Sequence, residues 1–157
     1  MANVEHKDLT GTDLHEPKGI AGQAAGKVYV SDGSNSGAWT AKETLAGEVI
    51  SGYIDDVSTA EVVHVPMPFA GTISKVVTVL EGAISGTNAV VTVKNSSGTA
   101  MSPTLTITTA NSAAGDVDTL SPSSNNTVTA DSFITVETDG GSTGHKKLRF
   151  VVVLDRT

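Results

Sequence analysis

Two histidines and three acids crowd the segment HKDLTGTDLHEPKG, His6 to Gly19. Imidazole nitrogen and carboxylate oxygen are zinc donors, and a histidine beside a carboxylate is the pairing of acid–base catalysis. A metal needs such donors on an element that fixes their spacing. Here Gly11 and Pro17 interrupt any helix or strand that would carry His6, Asp8, Asp13 and His15. The segment therefore reads as a polar arm lying on another surface, and no metal or cofactor is assigned to it. Leu9 and Leu14 are its apolar anchors. Asp8, Asp13, His15 and Glu16 supply hydrogen bonds or ion pairs to the surface beneath, with Pro17 closing the strip.

The other reactive residue types are no better placed. Asp55 and Asp56 are adjacent, so on a strand their carboxylates point to opposite faces and cannot flank one glycosidic bond. They read as solvated loop acids. Asp116 and Asp118 could help bind calcium in a loop but lack a full oxygen shell for it. His64, in EVVHVPMPF, reads as a side chain on an extended edge segment or a subunit contact, since Pro66 and Pro68 suit an edge strand. GGSTGHKK, residues 140–147, superficially suggests a phosphate loop. Its glycines are one residue too close, histidine stands where the lysine belongs, and a strand follows instead of a helix. His145 reads as a loop residue. No Ser/His/acid order stands out, so the chain is not expected to be an enzyme.

The elements that must position these residues follow from composition and pattern. The chain has 157 residues, enough for one domain and an arm. It has no cysteine, which excludes disulfides and thiolate chemistry. The opening MANVEHKDLTG has no apolar segment of the secretory kind, and no run nears the roughly 18 apolar residues that cross a bilayer. Neither export nor a membrane is expected. The net charge of -7 is spread over both parts of the chain, with no basic patch for phosphate backbones, so nucleic acid is not an expected partner.

Residues 1–44 hold too few large apolar side chains for a core. Within them KVYVSDGSNSGAWT reads as a hairpin, Tyr29 lying on the first strand and Trp39 opening the return strand. Such a hairpin is marginal alone and needs a surface to order it. From 45 to 157, short runs of Val, Ile and Thr recur between Gly, Asn, Ser and Pro. Strands are expected near 48–54, 60–65, 72–80, 88–95, 104–109, 132–138 and 147–155, with a short one near 127–130. The fold class is all-β: a jelly-roll-like antiparallel β-sandwich, preceded by an extended N-terminal arm with a hairpin. TDGGS, residues 138–142, reads as a tight hairpin turn and TVKNSSGTA, residues 92–100, as a longer turn. In KLRFVVVLD the residues Leu148, Phe150, Val152 and Leu154 share one face. Val151 and Val153 make the other face half-apolar, as in a central strand or one covered by a neighbouring subunit.

Two stretches together carry a resemblance. DLTGTDLHEPKG followed by GKVYVSDGSNSGAWT resembles the N-terminal segment of tailed-bacteriophage capsid decoration and head-fibre proteins. VHVPMPFAGTISKVVTVLEGAISGTNAVVTV with ADSFITVETDGGST resembles the β-domain that follows it in that family. The resemblance implies a virion structural protein on the capsid exterior, made in the host bacterial cytoplasm. The arm would bind the major capsid protein and the chain would associate as a homotrimer, with His64, Val151 and Val153 as subunit-interface residues. Unlike extended fibres, the chain has no collagen-like or coiled-coil stalk, which suits a knob or cement. The alternative is a tail-fibre or receptor-binding adhesin. The neutral, hydroxyl-rich stretch from Gly82 to Val136 would then meet host surface glycan, although few aromatics are available to stack on sugar.

Overall fold

A computed structural model of the chain describes residues 26–31, 37–41 and 47–156. It divides into two units, Met1–Leu45 and Ala46–Thr157. In the first, β1 (Lys27–Ser31) pairs antiparallel with β2 (Gly37–Ala41). Tyr29 faces Trp39 across the pair, their rings meeting edge to face with centroids 5.5 Å apart. Every residue of β1 is exposed.

The second unit is a jelly roll. Its strands are β3 (Gly47–Ile54), β4 (Ala60–Met67), β5 (Gly71–Leu80), β6 (Ser85–Gly86), β7 (Ala89–Lys94), β8 (Leu105–Ile107), β9 (Asp116–Leu120), β10 (Thr127–Val128), β11 (Ser132–Asp139), β12 (Ser142–Thr143) and β13 (Leu148–Arg156). One sheet runs β3-β13-β5, with β9 and β10 sharing the far side of β5. The other runs β4-β11-β7-β8. All pairings are antiparallel. The chain crosses from β3 to β4, back to β5, over to β7 and β8, back to β9, over to β11 and home to β13. This is the double-sheet jelly-roll winding expected from the spacing of the runs. β6 and β12 form a small separate ladder.

The core lies between the two inner faces. β13 is central, between β3 and β5, and buries Leu148, Phe150, Val152 and Leu154. Ile73, Val76 and Leu80 of β5 lie on the same side. Met67, Val91, Val93, Ile107, Ile134 and Val136 close the core from the facing sheet. Each such side chain contributes roughly 1.5–3 kcal/mol relative to exposure. Every buried side-chain polar atom among the described residues has a hydrogen-bond partner, so the core carries no unsatisfied polar penalty there.

Two local departures from period two matter later. In β5 the inward residues Ile73 and Val76 are three apart. A β-bulge absorbs the extra residue: Leu154 pairs with Ile73 but Val153 pairs with Lys75, which turns Lys75 out to solvent. In β3, Gly52 lies opposite Phe150, and the ring occupies the space a side chain at 52 would need. One expected turn takes a different role. Asp139-Gly140-Gly141 does turn, with Gly140 at φ +69°, but the strands it joins do not pair with each other. The Asp139 carboxylate accepts from Gly141 N and from Val90 N, which directs the chain to the β6–β12 ladder. The longer turn forms as expected: Asn95 Oδ1 accepts from Ser97 N and Thr99 N, and Gly98 takes φ +78°.

Candidate functional site

Of the expected docking arm, Asp8, Leu9, Asp13, Leu14, His15, Glu16 and Pro17 lie outside the described residues. Tyr29 and Trp39 lie within them, on the hairpin. Val28, Tyr29 and Val30 are 36%, 39% and 39% exposed, so β1 offers apolar surface along its length.

The three expected interface residues do not form one patch. His64 sits on β4, the edge strand of the β4-β11-β7-β8 sheet, with its ring 5.3 Å from that of Phe133 on the outer face. Its strand neighbour Pro66 pairs with Phe133, an edge position where a missing N–H does no harm. Beside them Glu137 forms an ion pair with Lys94 at 2.6 Å and accepts from the Thr135 hydroxyl at 2.7 Å. Lys94, opposed by partial burial and aided by Thr135 and by the charge of His64, holds the Glu137 carboxyl below its usual range.

Val151 and Val153 lie on the outer face of the opposite sheet. The register defines that face in rows across the strands. Tyr53, Arg149, Val79 and Val117 form the first row. Ser51, Val151, Val77 and Thr119 form the second. Val49, Val153 and Lys75 form the third. Gly47, Asp155 and Thr72 form the fourth. Six valines and a tyrosine therefore occupy positions where a one-sided sheet would carry polar residues. Val49, Tyr53 and Val117 are 64%, 51% and 58% exposed. Val151 and Val153 are visible in the sequence pattern of β13, but the other members of the face are not. KVVTV of β5 and FVVV of β13 are apolar on both faces, which was the available signal. Only the register adds Val49, Tyr53 and Val117.

A polar cluster forms around the β3–β4 turn and the loop before β13. Asp56 accepts from Ser58 Oγ at 2.6 Å and Ser58 N at 2.9 Å, and its other oxygen lies 3.2 Å from His145 Nδ1. The Ser58 hydroxyl, then the Ser58 amide and the His145 charge, hold the Asp56 carboxyl below its usual range. Asp55 pairs with Lys147 at 3.1 Å, and Lys147 lies 4.3 Å above the Tyr53 ring. These acids, read from sequence as solvated, are partnered because the loop before β13 returns its basic run beside the β3–β4 turn. The order serine–aspartate–histidine is the wrong one for a nucleophile. The hydroxyl donates to the carboxylate and the imidazole stands on the far side, whereas activation requires the base between the two. Asp116 and Asp118 share one side of β9, and burial, then the charge of Asp116, pushes the Asp118 carboxyl up. Among the described residues no three His, Asp or Glu side chains are grouped as metal ligands.

No family model matches the chain, and no curated protein matches it.

Proposed function

We propose that the chain is a virion structural protein that decorates or cements the exterior of a phage capsid. In this reading residues 1–44 dock on the major capsid protein and the jelly roll projects from it. The observation that carries the reading is the hairpin: a two-stranded ladder with β1 exposed along its whole length and a Tyr29–Trp39 ring pair. A ladder of that size gains little burial alone, and a protein surface would add to it. The resemblance of the arm and the β-domain to capsid decoration and head-fibre proteins points to which surface. The jelly roll fits as an analogy, since capsid and lectin domains both use it, but fold does not by itself assign function. The work is binding, without a reaction. Homotrimerisation would let three weak arms act together, multiplying the affinity of each.

The test is co-sedimentation with capsids of the host phage. The intact chain should pellet with capsids, and residues 46–157 alone should remain in the supernatant as a folded β-protein. Gold labelling on intact virions should spread over the head. Label confined to the tail would favour an adhesin that meets host glycan.

A further inference from the structure

We propose that Asp56 and His145 form a two-ligand site for a zinc-class divalent cation, bound between the β3–β4 turn and the loop before β13. This goes beyond capsid binding and does not depend on it.

The sequence does not group these two residues; the winding does. Ile54 at the end of β3 pairs with Leu148 at the start of β13, so the turn after one strand lies beside the loop before the other. Further bonds fasten the two segments. Val57 N donates to Lys146 O at 3.0 Å, and the buried Ser142 hydroxyl donates to Val57 O at 3.1 Å. Asp56 and His145 each stand one residue before a partner in the Val57–Lys146 bond.

Their spacing fits a shared metal. Asp56 Oδ2 lies 3.2 Å from His145 Nδ1. Tetrahedral zinc, at about 2.0–2.1 Å from each ligand, sets a nitrogen and an oxygen about 3.3–3.4 Å apart. The two atoms already stand close to that separation, and a small rotation of the imidazole turns both lone pairs to one point. An imidazole nitrogen with one carboxylate oxygen suits zinc and its transition-metal neighbours, whereas calcium and magnesium take oxygen ligands.

The carboxylate is oriented in advance. Asp56 Oδ1 accepts from Ser58 Oγ at 2.6 Å and from Ser58 N at 2.9 Å, bonds of the kind that fix a metal ligand from behind. They also keep the carboxyl ionised near neutral pH. The Ser58 hydroxyl thereby gains a positioning role in place of the nucleophilic one its geometry denies. The nearby lysines are engaged elsewhere: Lys147 pairs with Asp55, and Lys146 Nζ donates to the His145 carbonyl. The His145 side chain is 68% exposed, which opens the remaining coordination positions to water. His64, the other described histidine, has its ring against Phe133 instead. Two protein ligands make a weaker site than the four of a structural zinc centre.

An NMR titration of the intact chain with zinc chloride tests this, from about 10 μM to about 2 mM, the weak end of the affinity scale. The expected result is saturable shifts of the Asp56, Ser58 and His145 signals. Asp56→Asn keeps an acceptor for Ser58 and removes the charge. It should weaken binding at least about tenfold, as should His145→Ala at its solvent-exposed position. His64→Ala should change it less than about twofold, since it lies outside the site. Zinc should also raise the melting temperature of the parent more than that of Asp56→Asn, because binding to the folded state stabilises it. Shifts confined to His6, His15 or His64 would overturn the proposal. Equal zinc affinity in the parent and Asp56→Asn, or an equal rise in melting temperature, would overturn it as well. Equal shifts with magnesium chloride at the same concentrations would reduce the effect to charge screening and would also overturn it.

Discussion

Gly52 and Phe150 offer a sharp test of the packing. Gly52 lies on β3, opposite Phe150 of β13, and a methyl group at 52 would stand 2.5 Å from the Phe150 ring tip. The ring is 1% exposed and belongs to the hydrophobic core, so any shift away from position 52 must displace packed neighbours. Gly52→Ala should therefore overpack the site, at a cost of about 1–3 kcal/mol. Removing glycine also restricts the unfolded chain, which offsets about 0.4–1 kcal/mol of that. The net expectation is a loss of about 1–2 kcal/mol, read as a lower urea midpoint at unchanged slope. Phe150→Ala alone empties the centre of the core and should cost about 3–5 kcal/mol. In that background the clash is gone. Gly52→Ala should then be neutral or stabilising by about 0.5 kcal/mol, giving a coupling of roughly 2 kcal/mol between the sites. Equal cost for Gly52→Ala in both backgrounds would refute the claim that the ring fills the glycine's missing side chain.

Two carboxylates give opposite pH behaviour. Glu137 has its pKa lowered, chiefly by Lys94, so its contribution is present above the unfolded value of about 4.3 and is lost as pH falls through the lower native value. Glu137→Gln should cost up to about 1 kcal/mol at neutral pH, with Lys94 and Glu137 only partly shielded from water, and nothing near pH 2. A constant difference across the range would contradict this. Asp118 has its pKa raised by burial and by Asp116, so the folded state binds its proton more tightly and stability falls as pH rises from about 3.9 through the raised value. Asp118→Asn should be more stable than the parent at neutral pH and equal to it below that window, measured by thermal melts. Lower stability at neutral pH would show that the carboxylate is favourably held.

The sandwich was legible because its principal strands alternate. β3, β4, β5, β7, β11 and β13 are runs of Val, Ile and Thr with turn residues between, and burial alternates along β7 and β13, while β5 breaks the pattern at its bulge and β11 buries three residues in succession. β9 was not legible. DVDTL places Asp116 and Asp118 on the side that leads to buried Leu120, so a polar-looking run completes the edge of β5 that β10 covers only at its other end. TDGGS carried turn chemistry but not the partner of the strand after it, which Asp139 decides through a hydrogen bond to β7. The candidate interface was half legible for a related reason. A strand shows which residues share its face, but not which sheet it joins. Val151 and His64 thus looked like parts of one contact, while the winding sets them on opposite sides of the sandwich. Val49 and Val117 join Val151 only through the register with β13 and β5.

The most direct test of the functional account is capsid co-sedimentation of three proteins at equal concentration: the intact chain, residues 46–157, and the intact chain with Tyr29→Ala and Trp39→Ala together. The account predicts that the intact chain saturates the particles, that residues 46–157 do not bind, and that the double variant binds several-fold more weakly while its sandwich stays folded. Full decoration by residues 46–157 would contradict it, because the docking surface would then lie on the jelly roll.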